Sequence, residues 1–348
     1  MGPQRTDDAR LHELVRRIER VPDDAQAWLG LAAELAQYGD VRGELIRRWH
    51  AEHDFDRFVA AHARQIFDDA AGAIALSWHD DRPLILSWSM GTVAWITARL
   101  WTEPRATMPA LQRLLARPVC QFVRGLRVAF LDGGWTSGFD ELFRPAYAHN
   151  LRQLEIGAWH DRDETVPAPL DVDWGRLCLY RLPALQTLDL AGRFSIGGFA
   201  SATLRHVRLH ADNLVSADFL ALGRWSVPAL QRLDLHLGHS TASPGALDAW
   251  LASPGFGALR TLGIHDCAFP AQLIEALAHS PLLPKLRILI LQNTDLDDAS
   301  LALLAQFHDR FRHLEQLRLG EDAERTESLR VVGLPIQLAD GSLVSPLP

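Results

Sequence analysis

Apolar residues in this chain follow two rhythms, and the change from one to the other divides it. Up to Ile66 they recur every three or four positions. Leu11, Leu14, Val15 and Ile18 share one helical face, and Trp28, Leu31, Ala32 and Leu35 share a second. Val21-Pro22-Asp23-Asp24 breaks the first helix and supplies a carboxylate to cap the next. Gly39 closes that helix, and Asp40 suits the N-cap of a third through Leu45, Ile46 and Trp49. Further helix is predicted across Phe55 to Ile66. Leu84-Ile85-Leu86-Ser87-Trp88 and Gly91-Thr92-Val93-Ala94-Trp95-Ile96 then form two β-branched and aromatic runs around a glycine, the pattern of a hairpin. Leu111, Leu114 and Leu115 mark a short helix beyond it.

From Val123 onward the rhythm becomes Leu-x-x-Leu-x-Leu. A weaker leading copy, Val123-Leu126-Val128, precedes Leu151-Leu154-Ile156, Leu185-Leu188-Leu190, Leu204-Val207-Leu209, Leu230-Leu233-Leu235, Leu259-Leu262-Ile264, Leu286-Leu289-Leu291 and Leu314-Leu317-Leu319. Successive first residues are 28, 34, 19, 26, 29, 27 and 28 positions apart. A period of roughly 20–29 residues with this phrase is the signature of leucine-rich repeats. The expected fold is therefore an α/β leucine-rich repeat solenoid of about eight strand–helix repeats with a parallel concave sheet. Helical returns are predicted at Ala246–Leu251, Ala271–Ala278 and Ala299–Phe307, and Pro183, Pro228 and Pro284 suit the loops into the next strand. The 34-residue step holds a surface loop at Val166–Leu170. The 19-residue step, with Gly192, Gly197 and Gly198, is too short for a full helix, and Val331-Val332-Gly333 suggests a final edge strand. Three segments result: 1–75, a helical domain; 76–118, a hairpin and helix that cap the hydrophobic end of the first repeat; and 119–348, the repeats.

The helical segment carries its own wording. Pro22-Asp23-Asp24, Leu31-Ala32-Ala33-Glu34-Leu35 and Gly39-Asp40-Val41-Arg42-Gly43-Glu44-Leu45-Ile46 resemble the repeat-companion domain found at the front of many bacterial leucine-rich repeat proteins. That family typically has Asp-Trp where Glu34-Leu35 stands and Pro where Val41 stands, whereas the Gly-Asp-x-Arg-Gly-Glu run is intact. The resemblance covers about residues 11–50. It implies a companion to the repeats and carries no biochemical activity to any residue.

Strand side chains alternate, so positions 4 and 6 of each phrase point into the core and positions 3, 5 and 7 onto the exposed face. Position 5 reads Arg127, Glu155, Asp189, Arg208, Asp234, Gly263, Ile290 and Arg318. Position 7 includes His210, His236, His265 and Gln292, and position 3 includes His206, Arg232, Thr261, Ile288 and Gln316. The middle of this face is polar with mixed sign, and Ile288 with Ile290 makes a small apolar spot beside it. The expected partner-binding residues are Glu155, Asp189, His206, Arg208, His210, Arg232, Asp234, His236, His265, Ile288, Ile290 and Arg318.

His210, His236 and His265 fall on three adjacent strands about 4.8 Å apart, with Asp189 and Asp234 one column over. Imidazoles and carboxylates are zinc ligands, so a metal-dependent enzyme is one reading. A ladder of solvated histidines is the plainer one, because parallel side chains do not converge as a tetrahedral ion needs. Cys267 could tempt a Cys–His nucleophile reading with His265, but position 9 points inward and position 7 outward, so a structural cysteine is expected. Thr294 holds the same place in the next repeat. His79-Asp80-Asp81 and Asp132-Gly133-Gly134 read as turns, and Asp23-Asp24 and Asp297-Asp298 as helix-start acids. Trp28, Trp49, Trp88 and Trp95 fall on apolar faces. Trp135, Trp159 and Trp174 fall in loops after early strands, where exposure would make them binding anchors.

Composition narrows the function classes. Residues 1–120 carry 15 basic and 17 acidic side chains and the remainder 20 and 26, for a net charge of −8, so no basic stripe marks a nucleic-acid binder. All basic residues but Lys285 are Arg, which fits the coding bias of a GC-rich bacterial genome. Three cysteines without metal spacing, no signal-peptide core and no apolar run of roughly 20 residues point to a cytoplasmic protein without a membrane. No phosphate loop, nucleophile elbow, His-Glu-x-x-His or Cys-x-x-Cys occurs, so neither cofactor nor metal is expected. The leading expectation is a non-enzymatic module that binds another protein on the concave face. The alternative is a regulatory or recognition subunit of a bacterial multi-protein system, with a metal-dependent enzyme using His210, His236 and His265 as the reading from another class.

Overall fold

Helix boundaries in the N-terminal part are set by carboxylates and glycines acting together. A computed structural model describes residues 4–52, 54–75, 82–100, 104–129, 142, 146–157, 182–192, 197–211, 213–294, 296–319, 336–337 and 343–344. The loop expected at Val166–Leu170, the strand expected at Val331–Gly333, both predicted turns, Cys178, and Trp135, Trp159 and Trp174 lie outside them. The chain forms two compact units, residues 1–130 with 137–154, and residues 131–136 with 155–348. In the first, α1 (Gln4–Arg20), α2 (Ala25–Gln37) and α3 (Val41–Ala51) are the three helices the periodicity predicts. Asp24 caps α2 by accepting the Ala27 N–H at 3.0 Å. Gly39 ends α2 with φ +66°, a left-handed conformation that suits glycine. Asp40 then caps α3, accepting the Arg42 N–H at 2.9 Å, and the Arg42 guanidinium returns to the same carboxylate at 2.6 Å. A Cβ on Gly43 would stand 2.7 Å from the Ala32 carbonyl oxygen, so α2 and α3 cross in backbone contact. Glu44 pairs with Arg48 at 2.8 Å. The Gly-Asp-x-Arg-Gly-Glu run therefore acts locally as helix stop, cap, clamp and close crossing.

Trp28 is fully buried, and its indole N–H donates to the Pro22 carbonyl at 2.8 Å while its ring meets Phe122 edge-on at 4.9 Å. The helix expected over Phe55 to Ile66 is broken at His62 into α4 (Phe55–Ala61) and α5 (Ala63–Phe67). β1 (Ile74–Ala75) pairs in parallel with β2 (Leu84–Ser89), which forms the predicted hairpin with β3 (Thr92–Arg99). Met90 (φ 51°) and Gly91 (φ 74°) make a two-residue turn with both residues left-handed, the twist a tight hairpin favours. A Cβ on Gly91 would strike the backbone of Ile46 in α3. α6 (Pro104–Leu115) follows, and β3 pairs in parallel with β4 (Gly125–Ala129), where the Trp95 ring fills the space above Gly125. Trp49, Trp88 and Trp95 are half-buried, so the tryptophan reading holds fully only for Trp28.

In the second unit each leucine phrase becomes a strand. β5 (Gln153–Gly157) carries the division between the units. β6 (Thr187–Ala191), β7 (His206–His210), β8 (Arg232–His236), β9 (Thr261–His265), β10 (Ile288–Gln292) and β11 (Gln316–Leu319) pair in parallel in chain order, each phrase position opposite the same position of its neighbour. The position-2 carbonyl locks that register by accepting two N–H groups from the next repeat. Arg205 takes Gln231 and Arg232 at 2.8 and 3.0 Å, and Gln231 takes Arg260 and Thr261 at 2.9 and 3.0 Å. β12 (Ile336–Gln337) adds in parallel to β11, and β13 (Leu343–Val344) pairs antiparallel with β12.

Positions 1, 4 and 6 of these phrases share a core with α7 (Ser216–Leu222), α8 (Pro244–Leu251), α9 (Pro270–His279) and α10 (Asp298–Gln306); α11 (His308–Phe311) follows. Pro244 and Pro270 open their helices at the position where a missing N–H is harmless. The sequence pattern misses α7, whose seven residues are too few to show a clear period. The short repeat contributes no helix over residues 197–200 and instead bridges Ala200 to Ser226. Among the described residues no helix is long and apolar enough to cross a membrane. Replacing Trp250, fully buried beside Phe219 at 5.5 Å, by Ala is expected to cost about 3–5 kcal/mol, against about 1 kcal/mol for Asp40→Ala. Denaturant midpoints would place the two variants in that order.

Candidate functional site

The face of β6 to β10 opposite the leucine core brings most of the expected residues together. Position 3 carries Thr187, His206, Arg232, Thr261 and Ile288. Position 5 carries Asp189, Arg208, Asp234, Gly263 and Ile290, and position 7 carries Ala191, His210, His236, His265 and Gln292. Along β8 the Arg232 guanidinium grips Asp234 with two hydrogen bonds, at 2.6 and 3.2 Å. Across β6 and β7, Arg208 reaches Asp189 at 3.3 Å, and His210 lies 3.7 Å from the other oxygen of the same carboxylate. His265 stands 3.8 Å from Asp234, and His236 meets Asp266 at 3.4 Å. Glu155 and Arg318 lie on β5 and β11, at the margins of this cluster; Arg318 donates to Gln316 at 3.0 Å.

The face is less open than alternation alone predicts. Glu155, Asp189, Asp234, His265 and Ile290 are all buried, whereas Ile288 is half-exposed. Ile290 is thus not part of an exposed apolar spot. The physical reason is the parallel register: a position-5 side chain is flanked by columns 3 and 7 and by both neighbouring strands about 4.8 Å away. Only residues long enough to rise over those neighbours, such as Arg208, reach solvent.

The histidines do not form a solvated ladder. Their rings stack, His210 on His236 with centroids 3.9 Å apart and His236 on His265 at 4.1 Å, with planes within 18° and 8° of parallel. Burial depresses the His210 pKa to about 3, helped by positive charge that His236 and Arg208 would place beside it. Burial lowers His236 as well, against the hydrogen bond to Asp266 that favours its charged form. Burial alone would raise Asp234, but His265 and Arg232 outweigh it and hold the carboxyl at about 2. At neutral pH the column is therefore two neutral imidazoles, His210 and His236, stacked with His265 and flanked by ionised Asp234. Parallel rings direct their nitrogens side by side, not toward a common point. Among the described residues no group of three or more His, Cys, Asp or Glu is placed to hold a metal ion. Cys267 is buried, its thiol pushed up to about 11 by burial, so it is protonated at neutral pH. Thr294 donates to the Gln292 carbonyl at 3.1 Å, closing the turn beyond β10.

Three features take their role only from the packing of neighbouring strands and turns. Gly263 stands under the Asp234 carboxylate and the His265 ring, and any Cβ there would overlap both. Its signal is a glycine inside a strand. Asp266 follows β9 with φ 56°, one of the few residue types that accept a left-handed conformation, and this places its carboxylate beside His236. Asn293 holds the equivalent place after β10 with φ 50°. The third is a half-open cleft of about 370 Å³ at the start of β7, β8 and β9, lined by His206, Gln231, Arg232, Ala258, Arg260 and Thr261. Gln231, Ala258 and Arg260 lie before the strand residues that alternation assigns to the face.

No protein-family model matches the chain, and no curated protein matches it. Solved structures do. A Bacteroides fragilis protein determined by a structural genomics consortium is 17% identical, with 68% of this chain and 72% of that one covered and a TM-score of 0.56. The leucine-rich repeat-containing protein LegL7 from Legionella pneumophila is 14% identical over 71% of this chain and 92% of that one, with a TM-score of 0.38. The first of these likenesses supports the fold and speaks to nothing else.

Two outcomes follow from the geometry. Gly263→Ala is expected to destabilise the unit by about 1–3 kcal/mol, because Asp234 and His265 must shift against a packed sheet; urea unfolding measures it. Between pH 6.5 and about 3 the unfolded chain binds a proton at His210 that the folded protein does not, so unfolding takes up a proton and stability falls as pH drops through that window. His210→Gln should flatten that decline in denaturation curves recorded across the same range.

Proposed function

We propose that this chain is a non-enzymatic protein-interaction module of leucine-rich repeat type, holding another protein on the face of β6 to β10. The observation that carries the reading is the pre-positioning of polar groups on that face. Arg232 is fixed by two hydrogen bonds to Asp234, Arg208 is drawn to Asp189, and three imidazoles are stacked face to face along the sheet. Side chains ordered before binding lose little entropy on binding, which favours recognition by a rigid polar surface. The five strands spread over roughly 19 Å, the scale of a protein epitope. The chemistry also favours binding over turnover: the imidazoles stack on one another, and the Cys267 thiol, two residues beyond His265, is buried and protonated.

A photo-crosslinking amino acid at position 210, on this face, tests the reading against one at position 249, exposed on α8. Capture of the same protein from position 210 and not from position 249 is the expected result. Equal capture from α8, or capture from α8 alone, would move the partner to the helical side.

A further inference from the structure

The cleft at the start of β7, β8 and β9 is a surplus of hydrogen-bond donors on a chain whose net charge is −8. Arg260 uses only Nη1 internally, on the carbonyls of Leu259 and Gly257 at 2.8 and 3.4 Å, which leaves Nε and Nη2. Arg232 uses Nε and Nη2 on Asp234, which leaves Nη1. The Gln231 amide and the Thr261 hydroxyl complete the rim, with His206 exposed beside them. Burial lowers the His206 pKa, and the positive charge of Arg232 and Arg205 lowers it further. The Asp234 carboxylate, whose charge is felt at His206, is already held by Arg232. Donors in excess, with two guanidinium groups of incomplete pairing, call for an anionic ligand that accepts from several directions, as a carboxylate does.

What lies beside the cleft selects the kind of anion. Ile288, half-exposed, follows Thr261 in the same column, two strands or about 10 Å from Arg232. A peptide in polyproline II conformation, with three residues per turn and about 3.1 Å per residue, sets residues three apart on one side at about that distance. A polyanion such as a nucleic acid would meet the half-exposed Asp266 carboxylate as it crossed the face, in a molecule that is negative overall. We infer that the cleft binds an acidic side chain of a peptide in polyproline II conformation that sets a branched aliphatic residue, three positions away, over Ile288. This rests on the reading of the face as a protein-binding surface and names the chemistry of the partner.

The test is fluorescence anisotropy with fluorescein-labelled dodecapeptide pools that fix Glu and Leu three positions apart, in either order, and randomise the rest. The full chain should bind the pool, and replacing the fixed Glu by Gln should weaken binding about ten-fold, as should exchanging Leu for Ser. The doubly substituted H206Q/R260Q protein, altered only at exposed positions, should lose about ten-fold while its melting temperature stays that of the parent. Absence of binding, equal binding of the Gln pool, or an unchanged affinity in H206Q/R260Q would overturn the inference. Tighter binding of single-stranded DNA of the same length would overturn it in favour of a nucleic acid. If position 210 still captures a protein while the peptide pools fail, the binding face stands and the acidic motif falls. If both fail, the face itself is not the binding surface.

Discussion

The in-register parallel pairing of the leucine strands is the constraint on which the second unit depends. From β7 to β11 each strand starts where the previous repeat's position-2 carbonyl accepts two of its N–H groups, so these repeats begin at the same height. Slipping one strand by a single residue would turn its leucines outward and its charged residues into the core. Register therefore does two things at once. It stacks Leu233, Leu235, Leu262 and Ile264 into a continuous core, and it aligns Asp189, Arg208 and Asp234 in one column and the three histidines in another.

That alignment also governs the electrostatics. Groups about 4.8 Å apart on neighbouring strands cannot avoid one another, so like residues stack and unlike charges pair. His210 and His236 respond by stacking as neutral rings, on one another and on His265, since adjacent cations in a half-buried row would repel. The carboxylates respond by taking guanidinium partners, which keeps Asp234 ionised despite its burial. Gly263 is the concession that makes room, a gap in column 5 into which Asp234 and His265 lean. Where pairing is incomplete, at Arg260 and the free edge of Arg232, the sheet presents its donors to the cleft.

The first unit obeys a different economy, in which short-range capping matters most. The Gly39–Glu44 run needs no partner outside its own helices to account for its residue types: Gly39 ends α2, Asp40 and Arg42 cap and clamp α3, and Gly43 lets the two helices touch. Its resemblance to a companion-domain motif thus has a local structural reason.

Periods of 3.6 and of one strand per repeat are written directly in the chain, because burying a face demands apolar residues at fixed spacing. On that basis the sequence alone determined the three N-terminal helices, the hairpin, the parallel order of the strands and the inward place of Cys267. It could also name the columns, since alternation is local. How deeply a column-5 side chain is covered was not legible, because Ile290 and Asp234 owe their burial to strand partners 26 or more residues away in sequence, whose heights only register decides. The stacked rings, the Asp266 carboxylate turned back by a left-handed residue and the donor-rich cleft are likewise tertiary. Each depends on distances between neighbouring strands and turns, which spacing along one strand does not contain.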